Sequence, residues 1–506
     1  MTKKPISKNL NENLSYIKSV FGVPKNFDFV IREFEIKFDD CSIPAFLVFY
    51  DGLVNKTFIN RDIMRGLVQG GGTANSDEDL SDIIFRKLIS LAPLVQDSDM
   101  NVAVEKLTFG NCVIFADGCD RCFSADVKGW SNRGINQPIR EATLSGPQEA
   151  FNEIIMINLA LIRKILKDPN LVAENIPIGT ISKTPCALLY IEGITNKELV
   201  AEVRHRLENI ETEYVFSSGD VEMLLEARSF FPLTHTLKTE RPDRAAAMLA
   251  EGKVIVIVQG SPFVLILPTT AADLVEASED NYVRVSEANF MRLVRIAGIF
   301  LSVLLPGIFI AIMLFHHEFL PTDLLLAIEA SREVVPFPLV IELILMELAF
   351  ELIKEASVRV PSPVGSTLGI IGGLILGQAA VEANIVSPIS IIIVSVAGLG
   401  AFASPSVELS RSLSIIRFLF IIFASLAGLL GTTFAFFVLA AMNAASSTYG
   451  VPFLSPLTPR NSDFALDGML VKPIWKKELR PQSLKTQNPI RQPHISRKWL
   501  EKRKGE

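Results

Sequence analysis

Histidine and cysteine are scarce, with five of each among 506 residues. His205, His235, His316, His317 and His494 show no metal-ligand spacing. Cys41, Cys112, Cys119, Cys122 and Cys186 all lie in the first part of the chain. Cys119 and Cys122 have a zinc-like separation, but no second ligand pair stands at a suitable distance. No metal is expected, and in a reducing compartment the cysteines are expected as thiols. A phosphate-binding glycine loop is missing too. Gly70-Gly71-Gly72 runs into Thr-Ala-Asn-Ser rather than Gly-Lys-Ser/Thr. Neither Gly-x-Ser-x-Gly nor His-Glu-x-x-His occurs. These absences argue against an enzyme, a cofactor and a nucleic-acid partner. The polar opening MTKKPISKNLNENLSYIKSVFG lacks a sustained apolar core, so no signal peptide is expected.

What is present is unevenly spread. Mean hydropathy is +0.35 although 21% of residues are charged. Residues before about 290 have an ordinary soluble composition, whereas 293–442 are dominated by Leu, Ile, Val, Ala, Gly and Phe. After Val471 the chain turns basic, so the net charge of -6 hides an asymmetry between parts. The expected fold is an α/β cytosolic region of two related subdomains followed by an α-helical multi-span membrane domain. Its parts are an N-terminal arm or short helix (1–28), subdomain 1 (29–135), subdomain 2 (136–285), a membrane domain (290–445) and a basic cytoplasmic tail (446–506).

The duplication is read from two ungapped pairings. Thr184 to Lys197 lies over Ile43 to Lys56, matching Pro185 with Pro44, Gly193 with Gly52 and Asn196-Lys197 with Asn55-Lys56. Leu249 to Gly260 lies over Leu107 to Gly118 at nearly the same offset. Each half then offers a strand, a glycine turn, a helix and a hairpin turning at Asp117-Gly118 or Gln259-Gly260. Chance similarity of short β-rich runs is the competing explanation. Between the halves, Ser145 and Pro147 are expected to open a helix over Glu149 to Leu166. Thr239-Glu240-Arg241-Pro242-Asp243-Arg244 precedes another helix. Glu240, Arg241 and Asp243 are docking candidates, with turns and caps as the plainer reading.

The working part is expected between Val340 and Ile385. Glu342, Glu347, Glu351, Lys354 and Glu355 interrupt an apolar stretch, and Glu347, Glu351 and Glu355 recur every fourth residue. That pattern predicts an amphipathic helix lying in the interface or lining a wet cavity. Gly365, Gly369, Gly373 and Gly377 then form a column that lets another helix approach closely, or that serves plain span packing. Gln378 and Glu382 follow one turn apart. Carboxylates inside a membrane block are costly and face a partner, a cavity or an ion path. Glu342, Glu347, Glu351, Gln378 and Glu382 are the ion-path candidates; Glu382 alternatively binds a basic group or reaches the headgroups. Four spans are expected, over 293–315, 366–385, 389–403 and 415–442. With the basic tail and the N-terminal region both cytoplasmic, the number of spans must be even.

The chain resembles the A subunits of the GerA-type spore germinant receptors of endospore-forming Gram-positive bacteria. The likeness runs from about Asn26 to Pro481 and rests on an ordered set of stretches. They include Val30-Ile-Arg-Glu-Phe, Ser145-Gly-Pro-Gln-Glu-Ala-Phe151, Tyr190-Ile-Glu-Gly193, Thr239-Glu-Arg-Pro-Asp243, Met346-Glu-Leu-Ala-Phe-Glu-Leu-Ile-Lys-Glu-Ala356, Pro361-Ser-Pro-Val-Gly365 and Gly450-Val-Pro-Phe-Leu-Ser-Pro456. The resemblance implies a homo-oligomeric, channel-forming component in the spore inner membrane. It implies a transporter-like B subunit, a lipoprotein C subunit and membrane lipids as partners, and release of monovalent cations. It carries over no catalytic residue. The stretch before Ser145 holds only Glu141 where a fuller acidic pattern is expected. That leaves open the related branch of accessory, SpoVAF-like germination proteins, or a non-conducting scaffold. A self-contained secondary transporter is disfavoured because the spans show no inverted repeat.

Overall fold

The computed structural model describes residues 3–37, 42–69, 80–91, 93–129, 138, 141–226, 233–359, 377–459, 470–494, 497 and 499. Two units divide the chain. The first comprises Met1–Ala227, Thr236–Pro268 and Ile474–Glu506; the second comprises Arg228–His235 and Thr269–Pro473.

In the first unit, α1 (Leu10–Val20) precedes β1 (Phe29–Lys37) and β2 (Ser42–Tyr50). A helical run opens at Lys56, and a second lies at Leu80–Leu88 in two pieces. Then come β3 (Leu94–Asp97), α2 (Met100–Thr108), β4 (Cys112–Ala116) and β5 (Cys122–Ala125). The strands pair antiparallel in the order β1-β2-β4-β5-β3. Residues of β2 and β4 are buried on both faces, which explains their unbroken apolar runs.

The second half of this unit repeats the plan. It runs α3 (Ile155–Ile165), β6 (Leu171–Asn175), β7 (Cys186–Ile191), α4 (Lys197–Glu208), α5 (Ser218–Leu225), β8 (Leu237–Thr239), α6 (Pro242–Ala250), β9 (Val254–Val258) and β10 (Val264–Leu267). Its antiparallel order, β6-β7-β9-β10-β8, is the first order renumbered.

The hydrogen bonds repeat with the topology. Asn55 accepts from the Thr57 amide at 2.9 Å, and Asn196 accepts from that of Glu198 at 3.0 Å. Each caps the helix after its glycine turn. The Asp117 amide donates to the Pro44 carbonyl at 2.9 Å, and that of Gln259 donates to Pro185 at 3.0 Å.

The likeness also extends further toward the N-terminus than the sequence pairings showed. The Asn13 side chain accepts from the Ser7 amide and donates to the Ser7 carbonyl; Asn158 does the same with Asn152. α1 is thus the first helix of the first repeat, with Ile17 and Phe21 fully buried. The expected helix over Glu149 to Leu166 starts later, at Ile155, for a reason that lies in Arg241 (below).

One ion pair joins the two repeats. Arg163 of α3 donates Nε to Asp28 Oδ2 at 2.6 Å and Nη2 to Asp28 Oδ1 at 2.7 Å. It also stacks 4.1 Å from the centre of the Tyr50 ring. Residues 474–494 fold back onto the same unit. Arg480 Nε donates to the Ala250 carbonyl at 2.8 Å, and the Gln487 amide donates to that of Ile194 at 2.9 Å.

The second unit is helical: α7 (Val285–Phe315), α8 (Thr322–Arg332), α9 (Leu339–Arg359), α10 (Pro388–Phe402) and α11 (Val407–Ala445). By length and composition α7 and α11 can cross a membrane, while α10 has 15 residues. The first apolar helix begins at Val285 rather than 293, and Pro306 sits inside it. On α11 a stripe of Ile415, Leu419, Ile422, Leu426 and Leu430 is exposed, opposite buried Leu413, Ile416, Phe420 and Ala424. An outward apolar stripe of this length suits lipid or another helix. The expected continuous span over 415–442 is broken: Ala427 and Gly428 leave helical geometry, Gly428 with φ +60°.

Candidate functional site

The helical unit is built around a charge that sequence reasoning passed over. Arg417, in the first third of α11 where its long apolar run begins, is fully buried. Its Nε donates to the Ser302 carbonyl at 2.7 Å and Nη2 to Ser302 Oγ at 2.8 Å, both on α7. Nη1 donates to Glu347 Oε2 on α9, and Nη2 reaches the Ala397 carbonyl on α10 at 3.2 Å. One guanidinium therefore ties four helices. Its planar fork of five donors suits that task better than a lysine ammonium would. A lone arginine in an oily run was the available signal.

Glu347 is consequently held within the chain through Oε2, while its Oε1 is buried without a hydrogen-bond partner among the described residues. Glu342 is also buried. Its Oε1 accepts from both the amide and the hydroxyl of Ser387 at 2.6 Å, capping α10, and Oε2 lies 3.6 Å from Arg332 Nε. A carboxylate at a helix N-terminus meets unpaired amides and the positive end of the dipole. Of the predicted stripe Glu347, Glu351 and Glu355, Glu347 turns inward, Glu351 is half-buried and Glu355 is exposed; Glu342, outside the stripe, is buried as well, while Ile341, Leu345, Leu348 and Leu352 face out. This polarity is opposite to that of a helix with its charged face in water. Glu351 is half-buried and paired with Lys354 at 3.4 Å; Lys354 also donates to Ser414 Oγ at 3.3 Å.

Gln378 and Glu382 lie on a helical stretch over 377–382 and are both exposed. Gln378 Nε2 donates to Glu382 Oε1 at 3.1 Å, one turn apart as the spacing predicted. Of the glycine column, Gly365, Gly369 and Gly373 lie outside the described residues, and a Cβ on Gly377 would meet nothing within 4 Å.

The docking candidates are a correction. Arg241 has no exposed surface, and Glu240 is buried. Arg241 donates to the Glu141 carbonyl, Thr143 Oγ1 and the Pro147 carbonyl, and pairs with Asp243 at 2.9 Å. Arg244 holds the Glu141 carboxylate, whose other oxygen accepts from Thr239. These residues pin the 141–150 loop from inside instead of facing a partner. The same pin takes up the Pro147 carbonyl, so Ser145 and Pro147 do not open a helix.

The four cysteines among the described residues, Cys112, Cys119, Cys122 and Cys186, are all buried, and Cys41 lies outside the described residues. Cys112, Cys122 and Cys186 sit in strands, and burial pushes the Cys122 and Cys186 thiols up to about 12. Among the described residues no group of three or more His, Cys, Asp or Glu side chains is arranged to hold a metal.

At the entry to α7, Asp280 is buried between Arg292 and Arg295. Arg295 Nη2 donates to Oδ1 at 3.0 Å and Arg292 Nη2 to Oδ2 at 3.0 Å. Burial alone would raise the Asp280 carboxyl; the two guanidinium groups outweigh it and hold it below its ordinary range.

A duplicated α/β unit, joined in one chain to a helical unit with apolar outer faces and buried ion pairs, is the build of a membrane-associated protein. Residues 15–483 match the family described as Bacillus/Clostridium GerA spore germination protein. The chain is 35% identical to spore germination protein KA of Bacillus subtilis over 96% of this chain and 89% of that protein. Identity to spore germination protein A1 of B. subtilis is 37%, over 76% and 80%; to GerLA of Bacillus cereus it is 32%, over 96% and 97%. The crystal structure of the N-terminal domain of the A subunit of the Bacillus megaterium spore germinant receptor GerK3 is 29% identical and covers 53% of this chain and 97% of that one, with a TM-score of 0.38. The chain belongs to the GerA family of spore germination proteins.

Proposed function

We propose that this chain is the A-type subunit of a nutrient germinant receptor in the spore inner membrane. It acts without enzymatic activity, as a homo-oligomeric component through which monovalent cations leave once nutrient is sensed. A transporter-like B subunit and a lipoprotein C subunit complete the receptor. The observation that carries this reading is the split fate of the carboxylates. Glu342 and Glu347 are spent on internal contacts, whereas Glu382, held by Gln378, is presented on the outside where a neighbouring copy can face it. A ring of such carboxylates favours cations.

In this reading the first unit, which holds both Pro268 and residues 474–506, faces the cytoplasm as the basic tail favours, and the number of crossings between Pro268 and Ile474 is even.

The test is Glu382→Gln in spores relying on this receptor. Slower potassium release after nutrient, at an unchanged amount of membrane protein, is expected; unaltered release removes Glu382 from the path. A second reading, the accessory or scaffold protein, draws support from Arg417, which fills the junction of the four helices within one chain. Reconstituted receptor in liposomes separates the two, since a scaffold gives no nutrient-dependent flux.

A further inference from the structure

The two ends of the second sheet differ in character. Pro268 leaves β10 at the end where β9 begins and β7 finishes, and residues 474–494 pack there, on Ala250 and Ile194. Three loops gather at the opposite end. The Ile181 and Ser182 amides donate to the Glu213 carbonyl, and the Thr184 hydroxyl donates to that of Val215. The Gly260 amide donates to Glu153, and a Cβ on Gly260 would lie 3.3 Å from the Phe216 carbonyl. These bonds make one surface of the loops.

That surface is apolar at its centre and acidic at its rim. Tyr214 and Phe216 stack with ring centroids 4.7 Å apart, and Phe216 is 69% exposed. Ile181 and Ile154 are exposed beside them. Glu153, Glu211 and Glu213 are exposed around them, against one exposed lysine, Lys183. Aromatic side chains in an acidic setting fit a basic segment that carries its own aromatic residue. The chain contains such a segment at 497–504, with Arg497, Lys498, Trp499, Lys502, Arg503 and Lys504.

We propose that the surface around Tyr214 and Phe216 docks segment 497–504 of a second copy of this chain, with Trp499 set against the aromatic pair. The contact rests on the self-association in the reading above. Reach decides for a second copy. Arg497 stacks 3.2 Å from the centre of the Trp475 ring, on the side of the unit where the chain leaves for the helices. Trp499 follows two residues later, within about 7 Å. The five residues of β9 alone span about 17 Å. A chain therefore cannot bring Trp499 to its own distal loops while Arg497 keeps its place, and the contact runs head to tail between copies.

The experiment uses two co-expressed full-length copies with different tags and Cys41→Ser in both. One carries Ile181→Cys, an exposed position beside the pair, and the other Lys498→Cys, next to Trp499, so that Tyr214, Phe216 and Trp499 are all kept. Mild oxidation in detergent is expected to give a mixed-tag disulfide dimer. Its yield should fall about five-fold in roughly 0.5 M salt, or with Glu211→Lys and Glu213→Lys, because the rim contacts are screened. Light scattering runs in parallel. An oligomer without the mixed dimer overturns the docking and spares self-association; a monomer overturns both. A disulfide forming within a single doubly substituted chain overturns the head-to-tail arrangement.

Discussion

Arg417 and Glu347 meet where neither side chain touches solvent, and the guanidinium is shared with Ser302 and Ala397 of two further helices. Desolvating two charges is repaid only by such close geometry and added hydrogen bonds. Removing one partner strands the other. Arg417→Met or Glu347→Leu alone is expected to cost about 3–5 kcal/mol, and the double substitution far less than the sum. Denaturant unfolding of the detergent-purified protein, run as a double-mutant cycle, measures this. Additive losses would mean that the pair does not couple.

Asp28 and Arg163 play the corresponding part between the α/β repeats. Asp28→Asn keeps the shape and removes the charge opposite a buried guanidinium, so a loss of about 2–4 kcal/mol is expected. Because the pair bridges the repeats, the loss has a place. Hydrogen exchange should quicken at Phe27 and Ala173, whose backbones bond each other across the joint at 3.2 Å, before it quickens within β4 or β9.

Much of the α/β unit was legible because its signals are local. Glycine after a strand and unbroken apolar strands each act within a few residues, and the matched Asn55 and Asn196 turn out to be equivalent helix caps, a role the pairing alone did not assign. A short helix before residue 28 was one of the expected alternatives, but its membership of the first repeat was missed, because Asn13 and Asn158 clamp equivalent turns in sequences that share few residues. In the helical unit the composition was legible and the pairing was not. Nothing local tells Glu347 that its partner lies 70 residues away on another helix. The spacing of Gln378 and Glu382 was local again, and it survives as a hydrogen bond. For Arg241 the sequence left docking beside a plainer role in turns and caps, and its internal role was the plainer one; the carbonyls of Glu141 and Pro147 that bury it were invisible in the sequence.

The Asp280 carboxyl gives the protein an acid-sensitive joint. Its native value lies below the ordinary 3.8. A depressed native pKa adds stability that is complete above the unfolded value and is lost as pH falls through the native one. Asp280→Asn should lower the Tm by a constant amount above about pH 5, and the gap should close progressively below pH 3.8. Scanning both proteins in detergent across that window checks the sign. A gap that widens with acid would contradict the pairing with Arg292 and Arg295.

Gly428 breaks α11 with φ +60° and ψ -139°, a region that residues with a Cβ avoid. An added Cβ would also lie 3.0 Å from Cβ, Cγ and Cδ2 of Phe315. Gly428→Ala therefore meets two obstacles, one in its own backbone and one in a neighbour. The backbone term is about 1–3 kcal/mol. Phe315 is half exposed and ends α7, so its ring can swing aside at small cost, although its Cβ stays where the backbone puts it. The backbone term should dominate, and Phe315→Ala in the Gly428→Ala background should restore little of the lost Tm. Near-complete restoration would instead show that the close approach of the two helices, and not the dihedral angle, is what demands glycine.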